Sequence, residues 1–296
     1  VRVSLILNVH SSQTQRHVAE IPSLFAARGV VVDDVAEVES EADLRARTKR
    51  ALKKGARLVV VGGGDGSLTT AVDVLAHSEA ALGVLPLGTG NSFAQTLGIP
   101  DDLASAVDVI AAQRIVRVDL GRVNGVHFAN FATIGLSAEI AAATPRALKR
   151  AIGPAAYVAA GAAALFRHPP FDAKVRWDDG RSLLNTRQIV VANGRFFGHQ
   201  PVTPDASIVN RRLAFFTTTG VSHLEVARMY AAFGIGAQTR LPDAVFFSAK
   251  EIVVKAKPKQ LVSIDGQSLG RTPARFSIAA RALQVCVPAD FDDARR

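Results

Sequence analysis

The chain has 296 residues, 48% hydrophobic and 21% charged, which excludes a disordered polypeptide and leaves room for one large domain or two ordinary ones. Its single cysteine, Cys286, excludes an intramolecular disulfide and a cysteine-based zinc site and fits a reducing, cytoplasmic setting. The 35 Lys and Arg against 26 Asp and Glu leave a net charge of +9, which draws a protein to nucleotides, nucleic acid or an acidic membrane surface, or simply keeps it soluble.

The first 120 residues alternate between strand and helix signals. Val3 to Val9 is a β-rich apolar run, and a helix is expected over His17–Arg28, ended by Gly29. Val30 to Val35 is β-branched, and Ala42 to Lys54 is charged, helix-favouring and closed by Gly55. Arg57 to Val61 reads as a buried strand running into GGGDGS, with a helix from Leu68 to His77. Leu82 to Leu85 is another strand, followed by PLGTGNSFAQTLGIP, and Asp101 to Ala112 is helical with a capping acid. This alternation predicts a parallel, doubly wound α/β sheet.

The pattern changes near Val116. Short strand-like runs then dominate, from RIVRVDLGRV to ARFSIAA and LQVCVP, interrupted by helical islands at Pro145–Phe166 and Ser222–Gly234. That predicts an antiparallel β-sandwich. The expected division is residues 1–122 as the α/β domain and 123–296 as the sandwich, with the extreme C-terminus free to pack back on the first. The Ala-rich run Ala151–Phe166 is too short and too mild to span a bilayer. The start, VRVSLILN, lacks the basic region and cleavage pattern of a signal peptide. Cys286 falls in an apolar run and reads as inert core.

Chemistry concentrates in two glycine loops. Gly62, Gly63, Gly64, Asp65, Gly66 and Ser67 follow a strand and precede a helix. Glycines let the backbone approach a ligand closely, and N–H groups at a helix start make an anion site. No Gly-Lys-Ser/Thr follows, so this is not a Walker A loop, and the internal acid departs from GxGxxG. Asp65 beside phosphate-binding amides needs a metal or water between, which makes it a candidate for indirect Mg²⁺ handling. The plainer alternative is a tight turn with an Asp N-cap, worth about 1 kcal/mol. The second loop, Pro86 to Phe93, again joins a strand to a helix, with Gly88, Thr89, Gly90, Asn91 and Ser92. Two such loops at strand ends of one sheet favour a nucleotide crevice.

GGGDGS followed by PLGTGNSFAQTLGIP resembles the catalytic domain of the diacylglycerol kinase-like lipid kinases, which include bacterial diacylglycerol kinases and the sphingosine and ceramide kinases. VDLG at 118–121, FANFATIGLSAEI, VVANGRFFG, SIDGQ, PARFSI and LQVCVP continue the resemblance in order. It implies an ATP-binding α/β domain and a β-sandwich closing a cleft over it. It implies ATP phosphates wrapped by Gly62 to Ser67, contacts from Gly88, Thr89 and Asn91, and Asn8 at the start of the family's Asn-Pro pair. It implies Asp65 and Asp119 in the metal and water network, and Asp265 as the general base of an Asp-Gly-Glu motif. A lipid hydroxyl must lose its proton as it attacks the γ-phosphoryl group, so a carboxylate in reach suits the step independently. A β-turn aspartate is the commoner use of Asp-Gly.

Several positions depart from that pattern. Val9-His10 follows Asn8, Ser92 stands where many members have Asp, and Gly198-His199-Gln200 replaces a glycine run. Val209-Asn210-Arg211 replaces Asp-Asp-Gly, so no structural magnesium is expected there. Gln267 replaces the glutamate of Asp-Gly-Glu, which keeps size and hydrogen bonding but loses charge. The expected function is transfer of the γ-phosphoryl group of ATP, with Mg²⁺, to a diacylglycerol-like lipid hydroxyl. The expected partners are a lipid substrate and an anionic membrane, touched peripherally at its inner face, and no nucleic acid; a homodimer is compatible. Arg146, Lys149 and Arg150 would face headgroups or plain solvent. The alternatives are a non-catalytic nucleotide- or lipid-binding relative, motivated by Gln267 and the lost Asp-Asp-Gly, and an NAD kinase, which the GTGNSF and SIDGQ segments fit less well.

Overall fold

A computed structural model describes residues 3–11, 13–143, 168–197, 200–201 and 206–292. The helix expected over Pro145–Phe166, and with it Arg146, Lys149 and Arg150, lies outside the described residues, as do Gly198 and His199. The chain divides into two compact units, residues 1–120 with 279–296, and residues 121–278.

The first unit alternates β1 (Val3–Asn8), α1 (Thr14–His17), α2 (Ile21–Ala26), β2 (Val32–Val38), α3 (Glu41–Lys53), β3 (Leu58–Gly63), α4 (Asp65–Leu75), β4 (Ala81–Pro86), α5 (Ser92–Leu97) and α6 (Leu103–Ala111). The strands pair in parallel in the order β2-β1-β3-β4. β3 and β4 are buried at every residue, which is why they read as unbroken apolar runs rather than alternating ones. The chain leaves β1 in one direction to β2, then crosses back to β3 and β4. Right-handed crossovers put α2 on one face and α3 and α4 on the other. Consistently, α3 packs beside α4, and α2 beside α6. The reversal creates a switch point between β1 and β3, where open α/β sheets bind ligands beyond the carboxyl ends of their strands.

Local chemistry sets the helix ends. Ser40 Oγ accepts from Asp43 N at 3.1 Å to start α3, acids occupy its first turn and bases its last, and Gly55 beyond it takes φ +77°. Each feature offsets unsatisfied end groups or the helix dipole. Of the stretch expected as one helix, His17–Arg28, only Ile21–Ala26 (α2) and the last residue of α1 are helical. Pro22 sits in the first turn of α2, where its missing N–H costs nothing, but it could not have continued a helix from α1.

The second unit holds β6 (Val126–Phe128), β7 (Phe131–Gly135), α7 (Leu136–Ala143), β8 (Phe171–Trp177), β9 (Gly180–Thr186), β10 (Gln188–Ala192), β11 (Phe196–Phe197), β12 (Gln200–Pro201), β13 (Leu213–Thr218), α8 (His223–Gly234), β14 (Ala244–Ala249), β15 (Glu251–Lys257), β16 (Leu261–Ile264) and β17 (Gln267–Arg271). β5 (Ile115–Val123) enters it and β18 (Ala274–Cys286) leaves it. One sheet runs β14-β13-β10-β7-β16-β17, antiparallel throughout. The facing layer pairs β9, β8, β15 and the first half of β18, also antiparallel. Phe171, Val175, Ile252 and Phe276 from this layer meet Ile134, Val191, Phe215 and Ile264 from the other in one core. Trp177 stacks on Phe247, and Phe247 on Phe215. The outer face of the six-stranded sheet carries a second core, where Val190, Ala214 and Phe216 meet Leu136 and Ile140 of α7 and Val226 and Met229 of α8. The expected fold class, an α/β domain followed by an antiparallel sandwich, is the observed one.

The expected boundary lay at 122/123, with the extreme C-terminus free to return to the first domain. The structure crosses twice, at 120/121 and again at 278/279. ARFSIAA and LQVCVP, read as separate strands, are one 13-residue strand, β18. Its last residues pair in parallel with β4, Gln284 with Ala81 and Val285 with Leu82, and so return to the first unit. Cys286 ends this strand, fully buried, and burial pushes its thiol up to about 12. The native chain should therefore resist iodoacetamide at about pH 8 and label only on unfolding, because the thiolate is the nucleophile. Rapid native labelling would contradict the burial.

Candidate functional site

The first glycine segment contains almost no loop. Gly62 and Gly63 finish β3, Gly64 is the N-cap of α4, and Asp65, Gly66 and Ser67 form its first turn. The helix expected to begin at Leu68 thus begins three residues earlier. The sheet delivers the backbone directly into a helix N-terminus, with its positive end beyond the strand ends.

Neighbouring residues hold this corner. Asn8, at the end of β1, donates from Nδ2 to Ser67 Oγ at 2.8 Å and accepts from His10 N at 3.0 Å. Gly64 N donates to Ser11 Oγ at 3.2 Å. Leu87 N donates to Gly63 O, and Gln13 N to Leu87 O. The segments after β1, β3 and β4 therefore form one continuous rim. Gly63 must lack a side chain, because a Cβ there would lie 2.6 Å from Ser67 Oγ.

The second glycine segment packs on the first. A Cβ on Gly88 would lie 2.4 Å from the Cα of Gly64 and 2.9 Å from Asn91 Oδ1. Asn91 adopts φ +47° and folds back, accepting from Gly88 N at 3.0 Å and donating to Pro86 O at 3.1 Å. Asparagine is among the few side chains that take this conformation readily. Thr89 stands exposed at the tip.

Asp65 joins the two segments. Its Oδ1 accepts from Phe93 N at 3.4 Å, at the start of α5, and a Cβ on Gly90 would lie 2.8 Å from its Oδ2. Asn91, the N-cap of α5, makes no side-chain cap bond of its own. Asp65 supplies that cap from another segment. Burial pushes its carboxyl group above the ordinary aspartate value, against the N–H groups of Phe93 and Ser92, which pull it down. An acid raised in the folded state loses stability as pH climbs from its unfolded value, 3.8, through the folded one. Asp65→Asn keeps the shape and an acceptor oxygen but never ionises. Its melting temperature relative to the parent should rise as pH climbs above about 4. A pH-independent difference would remove that assignment.

Asp119 lies on β5, 1% exposed, and its Oδ1 accepts from Arg281 N at 2.7 Å. Among the described residues, no three His, Cys, Asp or Glu side chains converge as a metal cage would require. Magnesium bound to a nucleotide needs no such cage: one or two carboxylates, phosphate oxygens and waters suffice.

The second unit places Asp265 and Gln267 at the β16–β17 hairpin. Asp265 and Gly266 have φ +44° and +82°, the signature of a two-residue I′ turn. The side chain folds back from the turn toward the backbone of residues 129–131. Asp265 is 7% exposed. Its Oδ2 accepts from Ala129 N at 3.1 Å, and its Oδ1 from Asn130 N at 3.1 Å and Phe131 N at 2.9 Å. Its own N–H donates to Phe131 O at 2.9 Å. Gln267 begins β17 opposite Ile264, half-buried.

The chain matches two family profiles: "Diacylglycerol kinase catalytic domain" over residues 2–123, and "YegS C-terminal NAD kinase beta sandwich-like domain" over residues 130–287. It belongs to the diacylglycerol kinase-like lipid kinases. The diacylglycerol kinase of Staphylococcus haemolyticus is 28% identical over 86% of this chain and 78% of its own length. That of Staphylococcus saprophyticus is 27% identical over 86% of this chain and 84% of its own. Two solved structures from Bacillus anthracis share the fold, with TM-scores of 0.83 and 0.75 at 23% and 22% identity; each covers 98% of this chain, and the match takes in 96% and 98% of theirs.

Within this lipid-kinase framework, the structure gathers Asn8, Gly62 to Ser67, Gly88 and Asn91 in the first unit, and Asp265 and Gln267 in the second. Three contributors escaped the sequence reading. Ser11 lies in a stretch with no pattern. Asn193 and Gly194 stood inside the quoted VVANGRFFG with no role assigned, yet they grip the segment that holds Asp265. An Asn-Gly pair directly after an apolar strand was the available signal.

Proposed function

We propose that this lipid kinase transfers the γ-phosphoryl group of ATP, with Mg²⁺, to a hydroxyl of a diacylglycerol-like lipid. The observation that carries this reading is the interlock of the two glycine segments. Gly64 and Gly88 touch beyond the carboxyl ends of β3 and β4, next to the β1/β3 switch point and beside the N-terminus of α4. That arrangement suits a polyphosphate, which needs close backbone N–H groups and a positive dipole end.

The roles divide between the units. Gly62 to Ser67 bind the phosphates through the backbone, and Asn8 fixes the Ser67 hydroxyl at 2.8 Å. Gly88, Thr89 and Asn91 shape the opposite wall. Mg²⁺, near Asp65 and Asp119, would neutralise the charge gathering on the transferred group. Asp265 takes the proton from the acceptor hydroxyl, in direct in-line transfer with no phosphoenzyme. Its three N–H donors hold the carboxylate in one orientation, which a general base requires. No helix of the described residues is long and apolar enough to cross a membrane. With a net charge of +9, we place the reaction at an anionic membrane surface, reached peripherally from the cytoplasm.

The test is transfer from labelled ATP into mixed micelles holding diacylglycerol, monoacylglycerol, sphingosine, ceramide or phosphatidylglycerol, with NAD as control acceptor. Transfer to diacylglycerol is expected. Transfer to NAD alone would overturn the lipid reading. Silence in the parent with recovery in Gln267→Glu would make the chain a nucleotide- and lipid-binding relative, the reading that Gln267 favours.

A further inference from the structure

We propose that Asn193 is a positioning residue for Asp265, a role that rests on the kinase reading above. The β7–β10 ladder ends at the pair Phe131–Ala192. Just past it, the chain at Ala129–Asn130 meets Asn193–Gly194 by a different set of bonds. Asn193, with 0% exposure, donates from Nδ2 to Ala129 O at 2.8 Å. Asn193 N and Gly194 N both donate to Asn130 O, at 2.7 and 2.8 Å.

The peptide geometry gives these bonds their meaning. The carbonyl of Ala129 and the N–H of Asn130 belong to one peptide group. The carbonyl of Asn130 and the N–H of Phe131 belong to the next. Those two N–H groups are the donors to Asp265 Oδ1. Each carbonyl gripped by Asn193 or Gly194 therefore sits across a peptide bond from an N–H that holds the carboxylate. Hydrogen bonds in such a chain polarise one another. Asn193 both fixes the two peptide planes and strengthens the donors on their far side. Ladder pairing between backbones would hold the strands together without a side-chain amide. The amide of Asn193 acts on the peptide group that reaches Asp265. Gly194 is confined by the same contact: a Cβ there would lie 2.9 Å from Asn130 Oδ1 and 3.1 Å from its Cα.

The test is a double-mutant cycle with a structural readout. Asn193→Ala should lower kcat for lipid phosphorylation by about 10- to 100-fold, the scale of a small displacement of a catalytic group, with KM for ATP unchanged. In an Asp265→Asn background the same change should cost about twofold or less, since the group being positioned is already disabled. Gly194→Ala should reproduce the effect by displacing the same peptides. Amide exchange at 129–131 should quicken in Asn193→Ala while the rest of β7 keeps its protection. Equal losses of kcat in both backgrounds, or unchanged exchange at 129–131, would overturn the proposal. No transfer in the parent chain would instead overturn the kinase reading and this role with it, and the exchange data would then report the brace alone.

Discussion

Asp265→Asn is expected to lower phosphoryl transfer by about 10²- to 10⁴-fold, the range that a positioned general base contributes. The substitution is chosen for the backbone. Asp265 adopts φ +44° inside an I′ turn, and asparagine tolerates that conformation nearly as well. The hairpin should therefore survive. One oxygen can still accept from the N–H groups of Ala129, Asn130 or Phe131, but the amide nitrogen at the other end now faces a donor. Leaving one buried donor unpaired costs about 1–3 kcal/mol, so a lower melting temperature is expected with a cooperative transition. Asp265→Ala, which strands all three donors and strains the turn, should be markedly less stable. A transfer rate in Asp265→Asn within about twofold of the parent would reduce Asp265 to a turn clamp.

The second large effect is expected at Gly88. Alanine there would set its Cβ 2.4 Å from the Cα of Gly64. Both partners are backbone, so no flexible side chain can yield, and overpacking of this kind costs about 1–3 kcal/mol. The strain falls on the two segments proposed to hold the phosphates, and they must part. Nucleotide affinity should drop tenfold or more, since about 1.4 kcal/mol corresponds to a factor of ten. Gly64→Ala is the graded control. Its Cβ would lie 3.3 Å from Gly88 Cα at an ordinary φ of −92°, and it should weaken binding less. Titration of ATP against both variants checks the order. Equal affinities would show that the contact does not shape a nucleotide site.

Much of this molecule was legible in its residues, for identifiable reasons. β1, β3 and β4 announce themselves as apolar runs because a central parallel strand is buried on both faces. α3 is readable because its cap, charged ends and closing glycine are local signals. The glycine segments were visible because steric demand leaves few alternatives to glycine. What escaped depends on distance along the chain. Asp265 reads as a turn residue, and it is one. Its burial comes from N–H groups 134 to 136 positions away, which no local pattern encodes. Asp65 likewise reads as a cap for its own helix, whereas it caps α5 across the rim. The late start of the first expected helix rests on Pro22, a local signal that fits only the opening turn of α2.

The first unit is completed only at the end of synthesis. β4 pairs on its outer side with Gln284 and Val285, which are made after the whole of residues 121–278. During synthesis the N-terminal sheet therefore waits with one edge bare, for roughly 10–30 s at ordinary elongation rates. An open strand edge is a template for pairing with another chain. A truncated chain holding only the first 120 residues would keep that edge permanently. For expression of the first unit alone, residues 279–292 fused behind residue 120 would be the remedy, and solubility of the fused form over the bare one its measure.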